Sequence, residues 1–227
     1  QLPRGKAAHR KPKAEAFQRM LLSMTWKNPK HRRIFELMGH KQWLAGRDNR
    51  YGALDGKAAY KDIARARSEV RDGIAASLEY AREVGMPLAI EPLHPMQAAD
   101  RACINTLEHA LDLCDELDAG KSGMLGVALD IYHVWWDPKL QQQIARAGRE
   151  RLLAYHVCDW LTPTRDLLSD RGMMGDGIVE LKKIRGWVED AGFAGFSEVE
   201  IFSNLDWWQR PGGETLDVCI ERHRSAV

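Results

Sequence analysis

The run Gly126-Val127-Ala128-Leu129-Asp130 constrains this chain more than any other stretch. It is apolar without alternation and ends on a carboxylate, with His133 three residues further on. A short run with both faces apolar is the pattern of a strand inside a parallel sheet. Pro87 to Glu91, Leu152 to His156 and Phe196 to Glu200 have the same form, each followed by loop residues and then a helical pattern. The exit residues Glu91, Asp130, His156 and Glu200 recur at intervals of 39, 26 and 44 positions. That spacing is one βα unit each, with longer loops after the first and third. Alternating strands and helices make parallel units whose functional groups collect at the C-terminal strand ends. The predicted class is therefore α/β, a parallel (β/α) TIM-barrel type that is incomplete, with four clear C-terminal βα units.

The helices between these runs are legible from their spacing and punctuation. Asp62 to Val84 carries Ile63, Val70, Ile74 and Leu78 as its inward row and stops at Gly85. Asn105, three before Glu108, resembles a capping box opening a helix through Leu107, Leu111, Cys114 and Leu117. Asp137-Pro138 offers an N-cap and an N1 proline for a helix through Leu140 and Ile144. A helix through Leu181, Ile184 and Val188 ends near Gly192, and Glu214 to Arg224 closes the chain with Leu216, Cys219 and Ile220 inward.

Charge divides the chain. Residues 1–60 hold 14 Lys and Arg against 4 Asp and Glu, whereas residues 61–227 hold 19 against 28, although the whole carries only +1. The expected organisation is a basic N-terminal segment, 1–60, ahead of a barrel domain, 61–227. Three readings of the basic segment stay open: a nucleic-acid or partner-binding arm, a solvated extension, or the product of an altered gene in which a barrel's first half is lost. Cys103, Cys114, Cys158 and Cys219 form no CxxC pair and read as reduced packing residues of a cytoplasmic protein. No run is apolar for the ~18 residues of a membrane span, and the start lacks the apolar core of a signal peptide.

Glu91, Asp130, His156 and Glu200 would form a ligand set of three carboxylates and one imidazole if their strands lie side by side. Clustered carboxylates raise one another's pKa, and a divalent cation removes that repulsion. Oxygen-rich ligation with one imidazole points to Mn²⁺ or Mg²⁺ first, with Zn²⁺, Co²⁺ and Fe²⁺ also compatible.

Ile90-Glu91-Pro92, Leu129-Asp130-Ile131-Tyr132-His133, Tyr155-His156-Val157-Cys158-Asp159 and Val199-Glu200-Ile201-Phe202 resemble, in order, metal-bearing strands five to eight of the xylose isomerase-like TIM barrels. Gly175-Asp176-Gly177 resembles that family's turn before the seventh helix. The resemblance covers about residues 62–227. It implies a sugar isomerase or epimerase working by proton transfer next to a carbonyl, or a related lyase or dehydratase. By the same resemblance Glu91 and Glu200 would be ligands and proton-transfer groups, and His133 would hold a substrate hydroxyl. His94 is a candidate acid/base or hydroxyl-binding group, Asp159 a partner of His156 or of substrate, and Arg165 and Arg171 contacts for a phosphate or carboxylate. Trp135, Trp136, Trp207 and Trp208 are candidates for an apolar wall against a sugar. Glu198, on the same strand face as Glu200, is a candidate outer-shell carboxylate. Met96 and Gln97 stand where 3-epimerases often carry a second glutamate, which argues against that specificity. An AP-endonuclease-like site needs more histidines than His94, His133 and His156 supply, so nucleic acid is not the expected partner. A half barrel exposes a sheet edge and core, so a homo-oligomer or partner chain is expected. The alternative is a remnant that binds metal without completing a substrate pocket.

Overall fold

The computed structural model describes residues 27–30, 32, 62–98 and 101–227. The basic-segment readings lie almost wholly outside these residues. Among them the order is α1 (Ile63–Val84), β1 (Leu88–Ile90), a 3-10 turn (Pro95–Gln97), α2 (Leu107–Leu117), β2 (Leu125–Asp130), α3 (Ile131–Val134), α4 (Leu140–Arg151), β3 (Leu152–Val157), β4 (Asp159–Trp160), β5 (Arg171–Gly172), α5 (Leu181–Asp190), β6 (Ser197–Val199), a second 3-10 turn (Trp207–Gln209) and α6 (Gly212–Ala226). β1, β2, β3 and β6 form one parallel sheet in that order, while β4 and β5 make a small antiparallel ribbon. The four predicted strands are these four, and the described sheet is open, with β1 and β6 at its edges.

β2 is buried at all six positions, as its unbroken apolar run requires, and α2 and α4 pack against it. The core joins that strand to Val70, Ile74 and Leu78 of α1, Leu107 and Leu111 of α2, and Ile144 of α4. Each such side chain contributes roughly 1.5–3 kcal/mol through the apolar area it loses to water. Asp62 caps α1 by accepting from the Arg65 amide at 3.0 Å, and Gly85 ends it at φ +67°, a left-handed conformation suited to glycine. Ile63, expected inward, is 40% exposed because it precedes the first turn that meets the core.

Other differences concern element ends. Thr106, not Asn105, caps α2, accepting from the His109 amide at 3.2 Å. Asn105 instead donates to the Leu93 and Ala102 carbonyls, each at 3.0 Å. Its amide can bridge two carbonyls, which a hydroxyl with one proton cannot do. α4 begins two residues after Pro138, and the Asp137 carboxylate accepts from the Lys139 amide at 2.8 Å in the preceding turn. On α6 the inward residues are Val218, Cys219 and Ala226, whereas Leu216 and Ile220 are exposed. The four cysteines are free, three of them buried. Among the described residues no helix is long and apolar enough to cross a membrane.

Candidate metal centre and active site

The strand register brings the four exit side chains together. Asp130 lies opposite His156, and His156 opposite Glu198. The Glu200 amide donates to the Val157 carbonyl at 3.0 Å, so the chain holds its pairing just beyond β6. Because side chains alternate, Glu200 shares the face of Glu198 and His156's neighbours. Glu91 enters from the end of β1. One ligand atom from each of Glu91, Asp130, His156 and Glu200 lies within 4.8 Å of the others.

His156 Nδ1 sits 3.4 Å from a Glu200 oxygen and 3.7 Å from a Glu91 oxygen, too far for well-formed hydrogen bonds, and is shielded from solvent without a bonding partner. An orphaned imidazole nitrogen aimed between two carboxylates is the arrangement a bound cation satisfies. The donor set therefore fits a divalent ion. Glu198 approaches the other ring nitrogen at 3.8 Å and is more exposed, so it flanks the four rather than joining them.

Arg171 is central to this site, and the sequence had suggested only a loop contact for phosphate or carboxylate. Its side chain is buried, with Nη1 donating to Asp130 Oδ2 at 2.7 Å and to Glu200 Oε2 at 3.2 Å. The guanidinium lies over the rings of Tyr132 and Phe202, 4.4 and 4.8 Å from their centres. It supplies a positive charge to a pocket of carboxylates.

The electrostatics follow from these contacts. Burial pushes the Asp130 carboxyl up, against the pull of Arg171 and with the repulsion of Glu91 and Glu200. The Glu200 and Glu91 carboxylates push His156 up to about 10. Glu200 in turn is held well below the carboxylate range, chiefly by His156. Burial, aided by Arg171, lowers His133 to about 3, so its ring is neutral. His133 Nδ1 accepts from the His94 amide at 3.1 Å, and its Nε2 lies 3.2 Å from Arg171 Nη2 and 3.5 Å from Asp130 Oδ2.

A cavity of about 450 Å³ opens onto this cluster, with Glu91, His133, Arg171, Glu200, Phe202 and Trp208 in its walls. A more apolar hollow of about 310 Å³ runs along β1 and α1 but reaches only Glu91 of the cluster. The larger cavity is the one that meets the chemistry.

A sequence model of the xylose isomerase-like TIM barrel matches residues 36–216. The chain belongs to the xylose isomerase-like TIM barrel family. Its match begins inside the basic segment, earlier than the motifs at the strand exits reach. The crystal structure of protein SMc04130 from Sinorhizobium meliloti 1021 is similar at 58% identity and TM-score 0.71, over 74% of this chain and 60% of that one. The crystal structure of IOLI protein with a bound zinc atom shares the fold at 19% identity and TM-score 0.61, over 75% of this chain and 58% of that one. So does apo 3-keto-D-glucoside 4-epimerase, YcjR, from E. coli, at 18% and 0.55, over 74% and 57%. The chain thus spans about 60% of the length of these relatives. A comparison with curated proteins found no match.

In this xylose isomerase-like chain the remaining candidates lie around the cluster. His94 turns its ring to Trp160 and Trp136, at 5.0 and 5.7 Å between centres, and its Nδ1 accepts from the Met96 amide. Its backbone, rather than its ring, is what touches His133. Trp136 braces the other side by donating to the His133 carbonyl at 2.8 Å, and it lies outside the cavity walls. Trp208 lines the cavity, whereas Trp207 is a core residue and Trp135 packs against the core. Arg165 is ion-paired with Asp170. Asp159 is buried, accepting from the amides of Trp160, Gly175 and Val179 at 2.8, 2.9 and 3.0 Å. Those contacts fasten the loop after β5 to β4, and His156 is not among its partners.

That fastening explains one glycine. A Cβ on Gly177 would collide with the Trp160 carbonyl and the Asp159 carboxylate. Gly177→Ala is expected to cost roughly 1–3 kcal/mol through forced backbone shifts, read as a lower midpoint in urea unfolding. An unchanged midpoint would mean the loop is not held there.

Proposed function

We propose that this chain carries the metal-holding face of an enzyme that moves a proton on a carbon next to a carbonyl of a sugar, cyclitol or related polyol, as an isomerase or epimerase. The observation that carries the reading is the convergence of Glu91, Asp130, His156 and Glu200 at the C-terminal ends of neighbouring parallel strands. Glu91 and Glu200 both approach His156 Nδ1 and open onto the cavity, positions from which one carboxylate would remove the proton and the other return it. His133 and Arg171 lie in the cavity wall, where the neutral imidazole and the guanidinium would meet substrate oxygens. Enolisation needs negative charge on the carbonyl oxygen to be neutralised, and a divalent ion held by the four residues supplies that Lewis acidity. Mn²⁺ is the proposed ion from the oxygen-rich set. Zn²⁺, named in the structure of the IOLI protein, is the ion to compare with it.

The reading includes a cytoplasmic location and a second copy or partner chain. The partner is supported by β6 standing at the edge of the sheet among the described residues and by Phe196 beside it, 84% exposed. The test is to incubate the full chain with Mn²⁺ and a panel of ketoses and inososes in D₂O. Deuterium is expected at the carbon beside the carbonyl. Deuterium with loss of water would assign the dehydratase branch. Stoichiometric Mn²⁺ with no exchange on any compound would leave a metal-binding remnant and reject the enzyme.

A further inference from the structure

The cavity at the metal centre continues outward. A second hollow of about 440 Å³ shares Gln97, Arg101, Leu167 and Leu168 with it. Joined, they approach the upper part of the roughly 300–1,000 Å³ range of small-molecule pockets. That is room for a substituent beyond the reacting carbons.

The shared stretch contains a cation without an ion-pair partner among the described residues. Three arginines border the groove. Arg171 is paired with Asp130 and Glu200, and Arg165 with Asp170. Arg101 has no carboxylate partner among the described residues, and its side chain is exposed to the groove. Asp166, the carboxylate in the outer hollow, has an oxygen engaged by the Leu168 and Ser169 amides and the Ser169 hydroxyl. Arg101 is also the only Lys or Arg between Arg82 and Lys121. Its backbone is anchored: the Arg101 and Ala102 amides donate to the Gln97 carbonyl at 2.9 and 3.1 Å. Gln97 ends the 3-10 turn that His94 begins, and the His94 amide orients His133. One turn thus carries both the imidazole contact to the reacting centre and the unpaired guanidinium.

We propose that Arg101 is a specificity residue, receiving an anionic substituent, a phosphate monoester or a carboxylate, borne by the substrate away from the carbon that exchanges its proton. A guanidinium suits either group because its parallel N–H donors match paired oxygens. The groove orders the recognition: the polyol end meets Glu91, His133 and Glu200, and the charged end meets Arg101 at the junction of the two hollows. This rests on the proposed sugar or polyol chemistry and narrows its substrate to an acidic member of that class.

The experiment is calorimetric binding of D-fructose, D-fructose 6-phosphate and D-glucuronate to the Mn²⁺-treated full chain, and to its Arg101→Gln and Arg101→Lys variants. At least one charged probe is expected to bind about 10-fold more tightly than fructose. That ratio should fall to near one in Arg101→Gln and recover in part in Arg101→Lys. Preference for the phosphate or the uronate identifies the anion. A ratio near one in the parent chain, or a ratio unchanged in Arg101→Gln, overturns the proposal. Mn²⁺ binding is titrated in the same samples. Stoichiometric Mn²⁺ without charge preference defeats the Arg101 assignment alone. Arg101-dependent binding of fructose 6-phosphate without Mn²⁺ binding defeats the metal-enzyme reading and keeps the anion site.

Discussion

Asp130→Asn is expected to weaken binding of Mn²⁺ by about 100-fold or more, since even an outer-shell partner of a metal ligand is worth about 10–100-fold. Asp130 is fully buried and central, so the substitution removes a charge from the proposed ligand set while nearly preserving volume. It also frees Arg171 from its shortest ion pair and leaves that cation facing the site. Both effects oppose a divalent ion. Binding should depend on pH in a direction the geometry fixes. His156 is pushed up to about 10 by its neighbouring carboxylates, and the ligand form of imidazole is neutral, so the ion must expel a proton. Affinity of the parent chain is therefore expected to rise about tenfold per pH unit above the ordinary histidine range, levelling off near pH 10. The apo protein has the opposite linkage. Stability contributed by the His156 cation is fully present below the unfolded histidine pKa and is lost as pH rises through about 10. Calorimetry in buffers of different ionisation enthalpy counts the released proton. An affinity independent of pH between 7 and 9, or an Asp130→Asn chain that binds Mn²⁺ as the parent does, would remove the four-ligand centre.

Legibility in the sequence followed how much local pattern each feature carries. β2 and β3 were readable because long apolar runs bounded by helix patterns leave few alternatives. Glu91 and Glu200 were readable through their position after such runs, although β1 and β6 are only three residues each. The Asn105 and Thr106 assignment depended on which side chain had two carbonyls within reach, a tertiary fact. Leu216 and Ile220 form a helical stripe, but a stripe does not say which way the helix is turned against the sheet. Arg171 could be placed in the loop before Gly172 but not between Asp130 and Glu200, because antiparallel pairing of β5 with β4 and of Asp170 with Ser203 folds that loop back over the strand ends. Arg101 carried one signal, its isolation in a stretch with no other Lys or Arg, which has no force until the cavity is seen.

The largest stability effect is expected at the opposite ends of the strands, where Arg151 enters β3. Its side chain is buried, and Nη1 donates to Asp118 Oδ2 and to the Leu125 carbonyl, both at 2.7 Å. Nη2 reaches the carbonyls of Cys114 and Asp118 at the end of α2, where helical carbonyls lack partners. One guanidinium thus ties α2, β2 and β3. Arg82 and Ser122 also bond to the Asp118 carboxylate, but Arg82 is partly exposed and replaces none of the backbone contacts. Arg151→Met keeps much of the packing volume and strands a buried carboxylate with three carbonyls. A loss of about 3–5 kcal/mol is expected, the cost of removing one member of a buried pair. At roughly 2–4 °C per kcal/mol for a domain near this size, the thermal midpoint should fall about 10 °C. Adding Asp118→Asn should cost less than the separate losses combined, because the uncompensated charge is then gone. Mn²⁺ affinity of the folded Arg151→Met chain should match the parent, since the clamp and the proposed metal ligands occupy opposite strand ends. A midpoint lowered by less than about 2 °C would make this buried pair incidental to stability.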